Sequence, residues 1–382
     1  MVALWAGTTR ARIHVPYAVP VAGLAVAGLI AAMAGIAPFA GVGAVMQEVF
    51  LLAWCAAVTT ICRTPEALRF VVRTWCLSAT AWAIVLILTV ASGQTQVPGG
   101  RGGYGDRARL WFDHPNLAGN YFMLALFVVL ATRYPRPPVA RAFAVVALLA
   151  AMLLAGSNTA LLCLPVGGLI IVFLRVRSRS GAAPAIAVVL CLVLAGGATW
   201  SLVGKATLEN VQQTDSSLLR YSVARTSRSA AGRESLFSSS YQLFRESNFI
   251  GIGPSSTSRA LEESGSSLVK EAHNDYLGTL VERGPLGIVS LLVLMGAVVV
   301  RVISAQRLPP AWASVVPNPA ALAAAAGAFT VTALTHEVLH YRHFWTFLAL
   351  LAALHLAQED QPARPAGTRS SEEFAPQWID GS

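Results

Sequence analysis

The sequence predicts an all-α integral membrane protein with about ten transmembrane helices and one long, partly helical extracytoplasmic loop. Two features of the composition support this fold class: hydrophobic residues make up 55% of the 382-residue chain, and charged residues make up only 12%. The third observation is that the apolar residues fall in runs long enough to cross a hydrocarbon core of roughly 30 Å. Soluble proteins carry about twice that share of charge. The composition therefore places the chain in a membrane.

The N-terminal part, residues 1–204, is expected to contain about seven of these spans. Its first apolar run follows Arg10 and Arg12 and is long for a cleavable signal peptide, and a second run follows at once. The runs lie at about residues 15–37 and 41–61, up to about 91, and at about 117–131, 143–155, 160–174 and 185–203.

Three further regions follow. Residues 205–284 form the only long polar region, which we interpret as an extracytoplasmic loop domain that ends in a histidine motif. Residues 285–358 are expected to contain about three more spans. Residues 359–382 have the polar, proline-containing composition of a disordered tail, which is predicted to be cytoplasmic.

The positions of the arginines predict how the spans are oriented in the membrane. If the N-terminus lies inside, every strongly basic gap between spans is also inside, as the positive-inside rule requires; these gaps contain Arg63, Arg133, Arg175 and Arg301. The glycine-rich segment 92–116, the polar region and the sequence THEVLHYRH (335–343) then meet on the extracytoplasmic side of the inner membrane. This placement accounts for the formal charge of +9 without a nucleic-acid partner.

The stretch EAHNDYLGTLVERGPLG, residues 271–287, joins the polar region to a span. Apolar residues at helical spacing make His273 part of the first turn of a short helix, which Gly284 and Pro285 end. The positive end of a helix dipole favours the neutral imidazole, which can accept a proton. The alternative is a histidine that only caps the helix or anchors it at the membrane interface.

Arginines also stand on the predicted external face, against the usual topological preference. The planar guanidinium group suits phosphate oxygens, so one interpretation is an anionic ligand at the headgroup level. The other interpretation is a solvated loop in which these arginines pair with nearby glutamates.

Four stretches carry a family resemblance. They are His273–Leu292, Gly232–Ser256, Phe112–Phe122 and His340–Leu354. Their order and spacing resemble the O-antigen ligase and O-antigen polymerase superfamily of bacterial multi-span membrane glycosyltransferases. The resemblance implies an enzyme that takes a glycan from an undecaprenyl-type diphosphate carrier and joins it to an acceptor hydroxyl without a cofactor or metal.

The resemblance also implies partners and site residues. The partners are a polyprenyl-diphosphate-linked glycan donor, a lipid or glycan acceptor, and membrane lipids. His273 matches the family's catalytic base, and Arg233 matches the arginine that binds the diphosphate. Five further residues are predicted to bind substrate: Arg228, Arg109, Asn274, Tyr276 and Arg342. Many relatives carry a basic residue in the position of Asn158, and Arg109 is the candidate replacement for that charge.

The residues leave two other functions open. His336-Glu337-Val338-Leu339-His340 is a literal HExxH, which on a helix would put two zinc ligands on one face and supply the base of a metalloprotease. A lipid-glycan transporter without catalysis would have the same spans and a basic cavity, but it would not need His273.

Overall fold

The computed structural model describes residues 13–94, 108–204, 235–247, 249–265 and 273–359. These residues form helices joined by short turns, and none of the described residues is in a β-strand.

The N-terminal helices are α1 (Ala18–Ala34), α2 (Pro38–Ile61), α3 (Pro65–Ala91), α4 (Pro115–Thr132), α5 (Pro138–Ala155), α6 (Asn158–Ser180) and α7 (Ala182–Thr199), which continues into the π-helical turn Trp200–Gly204. The C-terminal part contains α8 (residues 235–246), α9 (Thr257–Glu263), α10 (Asp275–Ser304) with the 3-10 turn Ala305–Arg307, α11 (Pro310–Ala313), α12 (Ala320–Thr332) and α13 (Arg342–Glu359).

The helices begin where local chemistry favours a start. Five of the described helices, α2 to α5 and α11, have proline in the first turn, where the missing N–H removes no intrahelical hydrogen bond. The Thr64 side chain accepts a hydrogen bond from the N–H of Ala67 at the start of α3, and Ser157 does the same for Ala160 in α6.

The chain is a multi-pass, all-α membrane protein, as the sequence predicts. Among the described residues, seven helical segments are long and apolar enough to cross a membrane: α2 to α6, α7 with its π-helical turn, and α10 with its 3-10 turn. The apolar helices α1 and α12 are shorter. Each of the ten predicted runs coincides with a helix, the tenth being α13, whose middle is almost entirely buried.

Helix α4 lies at the centre of the bundle, with most of its side chains buried. It packs against α3, α5, α6 and α12, while α1 packs against α2 and α10. Close approaches depend on glycine: a Cβ added at Gly119 of α4 would lie 2.5 Å from the Cβ of Ser157. The N-terminal end of α6 is therefore held directly against α4.

Segments predicted to lie on one side of the membrane meet at one end of the bundle, which we call the polar-loop end. It comprises residues 108–114, 155–158, 249–265, 273–275 and 333–341. The N–H of Ala108 donates to the carbonyl of Leu154 (3.2 Å), and the N–H of Asp275 donates to the carbonyl of Ala333 (2.8 Å). Contacts between residues that are far apart in sequence therefore bring these segments together.

Helix α10 is broken at Gly284 and Pro285, as expected from the sequence. Gly284 has φ 64° and ψ −164°, outside the helical region, and Pro285 has no N–H to offer the carbonyl of Val281. That carbonyl accepts instead from the N–H of Ile252 (3.0 Å). Residues 275–283 are thus a separate half-helix, which we call the α10 half-helix.

The Gly251-Ile252-Gly253 turn completes this break. The N–H of Gly253 donates to the carbonyl of Glu282 (3.1 Å), so two carbonyls at the end of the α10 half-helix are satisfied by the turn. Gly251 has φ 101°, and a Cβ there would lie 2.7 Å from the carbonyl carbon and oxygen of Glu282. Only glycine fits this position without strain.

We predict that Gly251→Ala lowers the free energy of unfolding by about 1–3 kcal/mol, because alanine is strained at this φ and its Cβ meets backbone atoms. Gly43→Ala is the matched control, since a Cβ at this position of α2 has no neighbour within 4 Å. Thermal unfolding of both variants in detergent micelles measures the effect. Equal midpoints for the two variants would contradict the assigned role of the turn.

Candidate active site

His273 stands at the polar-loop end, immediately before Asn274, the N-cap of the α10 half-helix, so the expectation that it belongs to the first helical turn is wrong. Its side chain is partly exposed, and its backbone has φ 48°, a left-handed conformation that is uncommon for a residue other than glycine. Strained backbone of this kind is concentrated at functional sites, which makes His273 a candidate on structural grounds as well.

Two predicted binding residues next to His273 also have structural roles. The side-chain oxygen of Asn274 caps the α10 half-helix by accepting from the N–H groups of Tyr276 (2.9 Å) and Leu277 (3.0 Å). The hydroxyl of Tyr276 donates to the carbonyl of Thr330 in α12 (3.3 Å). These contacts fix the residues that follow His273.

Asp275 is a functional candidate that the sequence did not single out. Its side chain is 5% exposed, and its carboxylate accepts a hydrogen bond from the backbone N–H of Val338 (2.8 Å). Together with the hydrogen bond from its own N–H to Ala333, this attaches residues 333–341, which we call the 333–341 turn, to the start of α10. The only feature of the local sequence that could have marked Asp275 as a candidate is that it is an acidic residue in the first turn of a helix.

The 333–341 turn brings a second histidine to the site. His336 is 6% exposed, and the centroid of its ring lies 6.2 Å from that of His273. Its Nδ1 is 3.2 Å from the hydroxyl of Thr335, which in turn is 3.1 Å from the hydroxyl of Thr159 in α6. The N-terminus of α6, the 333–341 turn and the α10 half-helix therefore converge at one place.

The HExxH sequence does not have the geometry that a zinc site of this type needs. Residues 336–340 are not helical, so their spacing does not put His336 and His340 on one helix face. Over the described ranges, no three His, Cys, Asp or Glu side chains are grouped so that they could hold a metal ion.

Arg109 lies at the polar-loop end, in the segment that contacts the end of α5. It is 3% exposed, and its guanidinium donates to the backbone carbonyl of Asp113 (2.8 Å). The contact between Ala108 and Leu154 places it beside the end of α5, and the Gly156 to Asn158 turn follows directly. The sequence predicted Arg109 to bind substrate and to replace the charge missing at Asn158, and the structure puts the two segments side by side.

Of the other three arginines that are predicted to bind substrate, the structure describes one. Arg342 is exposed, and its guanidinium lies 6.0 Å from the ring centroid of Phe50 on α2. Arg228 and Arg233 lie outside the described residues.

Two charged side chains attach the C-terminal end of the α10 half-helix to neighbouring helices. The guanidinium of Arg283 donates to the carbonyl of Leu24 (3.0 Å) and forms a two-pronged ion pair with the carboxylate of Glu48. The carboxylate of Glu282 accepts from the N–H of Ser255 (3.0 Å) and the hydroxyl of Thr257 (2.8 Å), at the start of α9. The position of His273 is thus coupled to α1, α2 and α9.

A family model described as O-antigen ligase matches residues 143–292. The match supports the O-antigen ligase superfamily for this chain. It spans α5 through the first part of α10, so it includes His273 and the turn at Gly251 to Gly253. A comparison with curated proteins gave no match.

The family match supports a membrane glycosyltransferase-like role, with lipid-linked glycan and acceptor substrates within the membrane. The structure adds that the histidine of the matched region lies where the polar loops and three helix ends meet.

We predict that Asp275→Asn loosens the 333–341 turn. An amide oxygen is a weaker acceptor than a carboxylate, and a hydrogen bond to a charged group contributes about 1.5–3 kcal/mol. Hydrogen exchange of the Val338 amide should accelerate about tenfold or more in this variant. Glu262→Gln, an exposed change on α9, is the control. Unchanged protection of Val338 would contradict the assigned contact.

Proposed function

We propose that this protein is a metal-independent glycosyltransferase of the inner membrane that moves a glycan from an undecaprenyl-type diphosphate carrier to an acceptor hydroxyl on the extracytoplasmic side. The observation that carries the proposal is the position of His273: it lies in the family-matched region, at the polar-loop end, with the α10 half-helix held on both sides. Transfer as a ligase and transfer as a polymerase both fit this site.

The proposed reaction is a single displacement at the anomeric carbon of the donor sugar. The acceptor oxygen bonds to this carbon, the bond from the carbon to the diphosphate oxygen breaks, and its electron pair leaves with the lipid diphosphate. His273 takes the proton of the acceptor hydroxyl. A positioned general base of this kind contributes about 10²–10⁴-fold to a rate.

The departing diphosphate needs cations where its charge develops, and preorganised donors contribute roughly 3–4 kcal/mol each in such a role. Arg233 and Arg228 supply this charge in our proposal, with Arg109 taking the place of the basic residue that many relatives have at Asn158. The burial of Arg109 and its position beside the end of α5 support this role. Asn274, Tyr276 and Arg342 are proposed to contact the glycan or the lipid headgroups.

We expect His273→Ala to abolish glycan transfer while binding of undecaprenyl diphosphate stays within about twofold, because only the proton acceptor is lost. His355→Ala is the matched control, since His355 bonds Ser304 at the opposite end of the bundle. Complementation of a strain lacking the gene, followed by its glycan profile, gives the readout. A wild-type profile with His273→Ala would favour a non-catalytic transporter.

Arg233→Lys is expected to weaken the binding of undecaprenyl diphosphate roughly tenfold, which corresponds to about 1.4 kcal/mol. The reason is that a lysine point charge does not reproduce the two parallel hydrogen bonds of a guanidinium group. Arg259→Lys is the control, because Arg259 is exposed and pairs with Glu263 on α9. Equal dissociation constants for the wild type and the Arg233 variant would assign Arg233 to a solvated loop.

A further inference from the structure

Three half-buried arginines lie at the end of the bundle that is opposite the polar-loop end. They are Arg69 and Arg73 on α3 and Arg141 in the first turn of α5, and we call them the arginine cluster. Helix α4 starts at the polar-loop end, so the turn 133–137 that follows it lies at the opposite end. The positive-inside rule explains why arginines occur here, but it does not explain how these three are held.

Contacts with two adjacent residues of the 133–137 turn bring Arg73 and Arg141 together. The guanidinium of Arg73 lies 5.4 Å from the ring centroid of Tyr134. The guanidinium of Arg141 donates a hydrogen bond to the carbonyl of Arg133 (3.2 Å). The two guanidinium groups are therefore fixed against the same turn.

Arg69 extends the cluster by one helical turn along α3, because residues four positions apart share a helix face. Its Nη2 donates to the hydroxyl of Ser314 (3.2 Å), which donates its own hydrogen to the carbonyl of Ala311 (2.6 Å). The Nε of Arg69 is buried and makes no hydrogen bond to any described residue. A buried donor of this kind requires a partner.

No carboxylate in the described part of the chain neutralises the cluster. The ion pairs found there involve none of its three arginines. Glu66, in the first turn of α3, is exposed and belongs to none of these pairs. Planar guanidinium groups that are held in place without a carboxylate suit the oxygens of a phosphate group.

Apolar side chains beside the cluster indicate where this phosphate comes from. Phe70 and Leu77 on α3 are exposed, and so are Val139 and Phe143, which stand two residues before and after the cluster arginine of α5. Helices α3 and α5 pack against each other, so an exposed apolar surface begins at the cluster and continues along both spans. Such a surface suits the acyl chains of a lipid and offers nothing to a free phosphate ion.

We propose that the arginine cluster binds the headgroup of an anionic phospholipid, in the leaflet that this end of the bundle faces. The guanidinium groups donate hydrogen bonds to the phosphate oxygens, and the acyl chains lie along the apolar surface of α3 and α5. This lipid site is separate from the site around His273, and it does not depend on the proposed transfer reaction.

The first test is native mass spectrometry of the full-length protein released from detergent micelles. Dioleoylphosphatidylglycerol is the anionic probe, and dioleoylphosphatidylcholine, with the same chains, is the reference. A variant that combines Arg69→Gln, Arg73→Gln and Arg141→Gln should lose its preference for the anionic lipid by about tenfold or more, because each arginine near an anionic headgroup contributes to binding.

The matched control combines Arg175→Gln, Arg177→Gln and Arg179→Gln. It removes the same charge from exposed arginines in the last turns of α6, at the same end of the bundle. This control should keep the preference for the anionic lipid within about twofold, since the proposal places no headgroup there. Equal losses in the two triple variants would reduce the effect to general surface charge and overturn the proposal.

A single substitution at Tyr134 tests the geometry without a change of charge. Tyr134→Leu removes the ring on which Arg73 lies and should lower the preference about two- to fivefold, whereas Tyr134→Phe should keep it. This test does not depend on whether the triple variant folds. A wild-type preference in Tyr134→Leu would contradict the proposed site.

Thermal unfolding in micelles distinguishes a lipid headgroup from free phosphate, because a ligand of the folded state raises the midpoint. Phosphatidylglycerol should raise the midpoint of the wild type and of the α6 control more than phosphatidylcholine does, and this difference should vanish in the cluster variant. Inorganic phosphate at the same concentration should have no effect. An equal rise with inorganic phosphate would replace the lipid site with a site for a free anion.

Discussion

The site depends on the interruption of the hydrogen-bond ladder in α10. Pro285 has no N–H for the carbonyl of Val281, and Gly284 leaves the helical region, so a helix that crosses the membrane starts with a separate half-helix of nine residues. Its carbonyls are satisfied by the N–H groups of Ile252 and Gly253. Buried backbone groups require hydrogen-bond partners. The break in α10 leaves carbonyls without an intrahelical partner, and the glycine turn supplies the N–H groups that bond them.

The half-helix is also held at its first turn. Asp275 binds the 333–341 turn through its carboxylate and through its backbone N–H, and Asn274 caps the helix. At the last turn, the ion pair of Arg283 with Glu48 connects it to α2. Removing one partner of a buried pair leaves an uncompensated charge, which typically costs about 3–5 kcal/mol. The result is a short helix whose N-terminus, with His273, is restrained from several directions.

Local patterns predicted much of this architecture. In the described part of the chain, the apolar runs predicted the positions of α1 to α7, α10, α12 and α13, prolines mark the starts of α2 to α5, and Gly284 with Pro285 marks the break in α10. The grouping of polar segments at one end followed from arginine placement. These features depend on periodicity and on backbone rules that act over a few residues.

Contacts between distant residues were not predictable in this way. Asp275 meets Val338 across 63 residues, and nothing in either segment signals the other. The same contact explains why HEVLH is not a helix: the N–H of Val338 donates to the Asp275 carboxylate, which holds the turn against the start of α10. Spacing alone suggested two zinc ligands, whereas tertiary contacts place His336 beside His273.

The central claim is that the polar-loop end around His273 receives the diphosphate carrier and the acceptor together. Cryo-electron microscopy of the protein in nanodiscs containing undecaprenyl diphosphate tests this claim most directly. We expect diphosphate density at the polar-loop end, beside His273 and Arg109, with the lipid chain descending into the bilayer. Density for the diphosphate at the opposite end, near Ser304 and His355, would contradict it.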